Sequence, residues 1–159
     1  MTNAPWTMSV AEAVAELARG ELSATELLTS VLERLHATEP AVRAWAFVDA
    51  ERALGDARRA DDELANGVRR GPLHGIPFGV KDVIDTAGWP TEAGSRAYAG
   101  RVPRSDAATV RQLRSGGAVA LGKTVTHELA YGQNAPTTRN PRDPARYPGG
   151  SSVGSGVAV

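Results

Sequence analysis

A single lysine at the end of a short apolar run constrains this chain more than any other feature. Ile76 to Val80 is apolar and too short for a helix. Gly75-Ile-Pro-Phe-Gly-Val-Lys81-Asp82 therefore reads as a strand that delivers Lys81 at its end. Glycine and proline crowd the approach, at Gly71, Pro72, Gly75, Pro77 and Gly79. A buried strand disfavours an ammonium group, because removal from water penalises charge. The amine then either escapes to the surface or stays uncharged, and an uncharged amine is a base. A second landmark lies well downstream, at Tyr147-Pro-Gly-Gly-Ser-Ser-Val-Gly-Ser-Gly156.

Around these landmarks the chain alternates helix and strand. Ser9-Val-Ala-Glu12 and Ser23-Ala-Thr-Glu26 both have capping-box spacing. Each opens an amphipathic stretch. The first carries Val10, Val14 and Leu17 and stops at Gly20; the second carries Leu27, Leu28, Val31, Leu32 and Leu35 and stops before Pro40. Val42 to Val48 reads as a strand. Glu51 to Ala65 reads as an exposed helix with Ala53, Ala57, Ala60 and Leu64 inward. Its mixed charges at Arg58 to Glu63 form a solvated face. Asp85 to Arg104 is a long irregular stretch. Asp106 is placed to cap a helix that closes at Gly116-Gly117. Ala118 to Leu121 is a short buried strand, and Gly122 to Ala130 reads as a turn into a short helix. Tyr131 to Gly150 is irregular again, and Ser151 opens a small apolar helix. The alternation predicts an α/β sheet. We divide the chain into N-terminal helices at 9–38 and an α/β part at 42–159, within one partial domain.

Composition removes several classes. The 159 residues carry 18 basic and 18 acidic side chains, so bulk charge does not point to nucleic acid or a membrane surface. With no cysteine, disulfide frameworks and thiolate metal sites are excluded. The N-terminus has neither the basic start nor the apolar core of a signal peptide. No apolar run is long enough to span a bilayer as a helix. The expectation is a soluble, cytoplasmic protein without a cofactor or metal.

Familiar motifs do not account for the landmarks. Neither Lys81 nor Lys123 follows the glycine spacing of a phosphate loop. His36, His74 and His127 are scattered, which argues against a metal site. His127 beside Glu128 reads as a surface pair. Gly150-Ser-Ser-Val-Gly154 fits the loose Gly-x-Ser-x-Gly pattern, but no buried strand precedes it and no Asp and His follow to complete a triad. A glycine-rich anion nest at the start of a helix is the better-placed local alternative.

Taken together, the landmarks resemble the amidase signature family. The lysine strand appears as Gly75-Ile-Pro-Phe-Gly-Val-Lys81-Asp82. The next block is similar to Ala120-Leu-Gly-Lys-Thr-Val-Thr-His-Glu-Leu-Ala-Tyr-Gly132. The approach to the serine loop is similar to Arg139-Asn-Pro-Arg-Asp-Pro-Ala-Arg-Tyr-Pro-Gly-Gly-Ser-Ser152. The resemblance implies the N-terminal part of the family's α/β fold, a mixed sheet flanked by helices and incomplete here. It implies a Ser–cis-Ser–Lys triad acting on carboxamides, with Lys81 as base and Ser151 as the relay serine after a cis peptide. Gly149, Gly150 and Ser152 would support that loop or the substrate. The family's nucleophilic serine and the amides of its oxyanion site would fall beyond Val159, so these residues alone would be inactive.

The chemistry requires such groups. A serine must lose its proton as it attacks an amide, and the departing amine must gain one. A lysine does both only if its amine starts uncharged, and desolvation by Phe78 and Val80 is expected to favour that form. Val153 departs from the small residue that usually follows the paired serines, and it is expected to narrow substrate access. The implied partner is a small-molecule amide, with a homodimer as one possible assembly. The alternative within the family is an amidotransferase subunit that releases ammonia from glutamine for tRNA-dependent amidation, together with partner subunits. A second alternative is a non-catalytic remnant with a binding role.

Overall fold

The structure is a computed structural model, and it describes residues 4–131 and 136–159. The part of the irregular stretch at 132–135, including Gly132 of the second motif block, lies outside the described residues.

Eight helices and strands follow in chain order among the described residues: α1 (Val10–Arg19), α2 (Ala24–Val42), β1 (Trp45–Val48), α3 (Ala50–Ala65), β2 (Pro77–Lys81), α4 (Ala108–Ser115), β3 (Val119–Thr124) and α5 (Val153–Ala158). The sheet order is β1-β3-β2. β1 pairs antiparallel with β3, in the register Trp45↔Thr124, Phe47↔Lys123 and Val48↔Gly122. β2 runs in the same direction as β3. Val119 N–H donates to the Ile76 carbonyl near one end, and Asp82 N–H donates to the Thr124 carbonyl near the other. Parallel neighbours need a long crossover, and residues 82–118 with α4 supply it. The sheet is therefore mixed, as expected for an α/β chain.

The residues group into two compact units. The first comprises Met1–Ala37, Asp49–Phe78 and Arg111–Leu121; the second comprises Thr38–Val48, Gly79–Val110 and Gly122–Val159. In the first, the leucine stripe packs as a core with Leu17, Leu27, Leu28 and Leu32 buried beside Ala53, Ala57 and Ala60. Both capping boxes form. Ser9 Oγ accepts from Glu12 N–H while the Glu12 carboxylate accepts from Ser9 N–H, and Ser23 and Glu26 repeat the exchange. Gly20 ends α1 with φ of 69°. Asp61 belongs less to a solvated face than its charged neighbours suggested. Its carboxylate accepts from the Ala24 and Thr25 N–H groups and from the Thr25 hydroxyl, tying α3 to the start of α2.

Three boundaries differ from the sequence reading. α2 continues through Pro40 to Val42 instead of stopping before the proline. The Glu39 carboxylate accepts from Ala44 and Trp45 N–H, which fastens the chain just beyond that end. The strand expected from Val42 consequently begins at Trp45, after Arg43 takes a left-handed turn with φ of 53°. Finally, Gly122-Lys-Thr124 is not a turn. β3 runs straight through it, and all six of its residues are buried. A Cβ at Gly122 would collide with the Phe47 carbonyl oxygen, so this glycine serves close strand approach. In place of the expected short helix there is one 3-10 turn, Glu128–Ala130, with Leu129 and Ala130 at positive φ.

Candidate active site

Lys81 and Ser151 meet within the second unit. Lys81 Nζ donates to Ser151 Oγ at 2.7 Å, across 70 positions of sequence. Both residues are half-buried. The lysine's position follows from β2. Strand side chains alternate, so Val80 points away from the face that carries Lys81. The residue sharing that face is Gly79. A Cβ there would lie 2.9 Å from the Trp45 ring and 3.0 Å from the Thr124 methyl. Trp45 and Thr124, rather than the expected Phe78 and Val80, are therefore the side chains packed along the strand face that leads to the amine.

The backbone beyond Lys81 is held from several directions. Asp82 is buried, and its carboxylate accepts from Glu92 N–H at 3.3 Å and from Gly94 N–H at 3.4 Å. Its carbonyl accepts from Ala93 N–H at 2.9 Å. Ala93 and Gly94 reach this geometry with φ of 54° and 62°. The same carboxylate lies 3.5 Å from Lys123 Nζ. Lys123 is fully buried in β3 and donates to the Ile84 carbonyl at 2.9 Å and to Thr91 Oγ1 at 2.6 Å. Burial pushes the Lys123 ammonium down and the Asp82 carboxyl up, and in each case the partner's charge is the main opposing cause. The lysine locked in the interior is thus Lys123, while Lys81 keeps access to the serine. The sequence carries a partial signal for this pair: a lysine just beyond the apolar run 118–121, and an aspartate directly after Lys81.

Ser151 is positioned by the segment after β3 and by α5. Its carbonyl accepts from His127 N–H at 3.1 Å and from Thr126 Oγ1 at 3.2 Å. The Gly150–Ser151 peptide bond is cis. Gly149 has φ of 89°, and a Cβ on it would meet open space. A Cβ on Gly150, by contrast, would collide with the His127 ring and lie 2.9 Å from the Tyr147 hydroxyl. Ser152 is exposed at the N-cap of α5, and its side chain makes no capping bond. Val153 does not narrow an approach: it is 1% exposed and packs inward as the first residue of α5. Gly154 lets the helix close on the residues flanking β1 and β3, for a Cβ there would overlap the Ala44 carbonyl. The Gly154 N–H donates to the Val125 carbonyl at 2.9 Å. His127 and Glu128 do not pair as a dyad. The Glu128 carboxylate accepts from Ser95 Oγ at 2.7 Å, and His127 Nε2 meets the Tyr147 hydroxyl.

Among the described residues, no group of three or more His, Cys, Asp or Glu side chains is placed to hold a metal ion. No helix among them is long and apolar enough to cross a membrane. What the arrangement offers chemically is an amine in contact with a hydroxyl on a glycine-rich turn, a pair suited to moving a proton.

Comparison with known proteins identifies the family. The Amidase family profile matches residues 26–159. The chain is 46% identical over 153 residues to the A subunit of the glutamyl-tRNA(Gln) amidotransferase of Acidothermus cellulolyticus, covering 93% of this chain and 30% of that protein. It is 44% identical over 142 residues to an amidase of Pseudomonas putida, covering 89% of this chain and 30% of that one. The crystal structure of the native peptide amidase from Stenotrophomonas maltophilia superposes with a TM-score of 0.90 at 41% identity, covering 98% of this chain and 34% of the other. The chain thus spans about a third of the length of the relatives it matches. A profile match over most of the sequence, and a shared fold at this identity, place the chain in the amidase signature family.

Proposed function

We propose that this chain carries the base and the proton relay of a Ser–cis-Ser–Lys amidohydrolase that cleaves carboxamide C–N bonds through an acyl-enzyme. The 2.7 Å contact between Lys81 Nζ and Ser151 Oγ carries the reading. In the proposed acylation the nucleophilic serine attacks the carbonyl carbon and passes its proton to Ser151 Oγ. Ser151 in turn gives its own proton to the Lys81 amine. The resulting ammonium returns a proton by the same route to the departing nitrogen as the C–N bond breaks. Water then repeats the sequence on the acyl-enzyme, releasing the acid. By the family resemblance the nucleophile lies beyond Val159, so residues 1–159 expressed alone do not turn over amides.

A fluorophosphonate probe applied to a protein extended through the downstream serine loop tests this reading. Labelling is expected, with Lys81→Ala and Ser151→Ala each slowing it by about a hundredfold or more. Sustained amide hydrolysis by residues 1–159, abolished by Lys81→Ala, would contradict the assignment of the nucleophile. Labelling indifferent to both variants would contradict the relay.

The identity to the A subunits of tRNA-dependent amidotransferases favours a second reading, in which the same relay releases ammonia from glutamine within a multi-subunit tRNA-amidating enzyme. Copurification with partner subunits, and glutaminase activity dependent on them, would favour it. Hydrolysis of simple amides by the protein alone favours the amidase.

A further inference from the structure

Gly150, Tyr147 and His127 form a contact that the proposed reaction does not itself require. Tyr147 lies four residues before Ser151, and its hydroxyl meets His127 Nε2. The two rings are tilted at 44° with centroids 5.9 Å apart. Gly150 sits directly against this pair. Any side chain there would collide with the imidazole and the phenol oxygen, so the rings and the turn fit only because position 150 is bare. On the other side of the same histidine, the backbone N–H of His127 donates to the Ser151 carbonyl. One residue therefore grips the turn twice, through its ring at Tyr147 and Gly150 and through its amide at Ser151.

We propose that His127 and Tyr147 form a brace that sets the position of Ser151 against Lys81, which makes them positioning residues for the relay. This rests on the proposed relay and names what aims it. Tyr147 is largely exposed, so its phenol contributes little by burial, and its role is to hold the imidazole over Gly150. Ser151 is fixed at its carbonyl by residues 126 and 127, while its hydroxyl remains available to Lys81. Loss of the brace frees the turn to move by fractions of an ångström, enough to lengthen the contact between amine and hydroxyl.

The test uses a protein extended through the nucleophile loop and two readouts. In the first, fluorophosphonate labelling is followed in Tyr147→Phe, His127→Ala and His127→Gln. Tyr147→Phe and His127→Ala are expected to slow labelling about tenfold, with melting temperatures close to wild type. His127→Gln, whose amide reaches the place of Nε2, is expected to recover most of the rate. In the second readout, amide hydrogen exchange at His127 and across 147–152 is measured without substrate or probe, and Tyr147→Phe is expected to raise it locally. Wild-type labelling lost in Lys81→Ala but unchanged in Tyr147→Phe and His127→Ala would overturn the brace and leave the relay intact. If the wild type fails to label, the relay is rejected, and exchange alone decides the brace: unchanged protection in Tyr147→Phe overturns it. Rates that fall only in step with melting temperature, without rescue by glutamine, would also overturn it.

Discussion

At the scale of single residues, a buried histidine and a buried ion pair have consequences for stability. His74 is 1% exposed. Its Nδ1 accepts from Arg70 N–H at 3.0 Å, and its Nε2 lies 3.2 Å from the Glu63 carboxylate. Gly117 packs against the ring so closely that a Cβ would lie 2.7 Å from it. Burial is the largest influence and lowers the pKa; the Glu63 carboxylate opposes it, and the Arg70 and Arg69 charges add to it. The folded state thus favours neutral imidazole, and protonation would also sacrifice the bond from Arg70. An unfolded histidine begins to bind protons near its ordinary value of about 6.5. Stability from His74 is therefore fully present above that value and is lost as pH falls through it toward the lower folded value. Melting temperatures measured from pH 8 to pH 5 should decline through this window. His74→Asn, which can keep the acceptor but does not titrate there, should flatten that part of the curve; an unchanged slope would rule the histidine out. The Lys123–Asp82 pair gives the second prediction. Lys123→Met strands a buried carboxylate and should cost about 3–5 kcal/mol in urea unfolding. Adding Asp82→Asn should recover part of that loss, whereas strictly additive losses would show that the charges are not coupled.

At the scale of elements, the helices were legible because their ends are chemically marked. Ser9 and Ser23 with Glu12 and Glu26 announce two N-termini, and both bond networks form. Ser9→Ala and Ser23→Ala should each cost about 1 kcal/mol, with glycine milder at the same positions. The strands were less legible, because a glycine in sequence does not say whether it bends a chain or admits a neighbour. Gly122 reads as a turn in the sequence, whereas in the structure it lies inside β3 against the Phe47 carbonyl. Gly122→Ala must displace the Phe47 carbonyl, and it should destabilise by about 3 kcal/mol or disrupt the pairing outright. A melting temperature equal to wild type would show that β1 moves aside freely. For the same reason the strand alone could not say which lysine stays buried. Lys81 and Lys123 both close apolar runs, and only cross-strand neighbours separate them. Lys123 stands opposite Phe47, beside the tilted ring pair of Phe47 and Trp89. The contact between Lys81 and Ser151 was anticipated through motif resemblance and not through periodicity. The contact between Tyr147 and His127 is not legible in the sequence, because it depends on the path of an irregular loop.

At the scale of the whole molecule, the open feature is the sheet. It has three strands among the described residues, and β1 and β2 are both edges. Edge strands present unpaired backbone donors and acceptors that recruit other strands unless they are covered. The second unit also exposes large apolar side chains: Val102 at 50%, Leu129 at 54%, Tyr147 at 57% and Tyr131 at 93%. Relatives about three times as long offer further chain to cover such surfaces. Residues 1–159 produced alone should accordingly self-associate in light scattering and bind an apolar dye. A protein extended to the length of the relatives should bind far less dye per mole. The comparison separates two origins of the apolar surface. If both proteins bind dye equally, the exposed tyrosines and leucine belong to a genuine docking face. If residues 1–159 are monomeric and bind no dye, the edges are already protected, and the prediction fails.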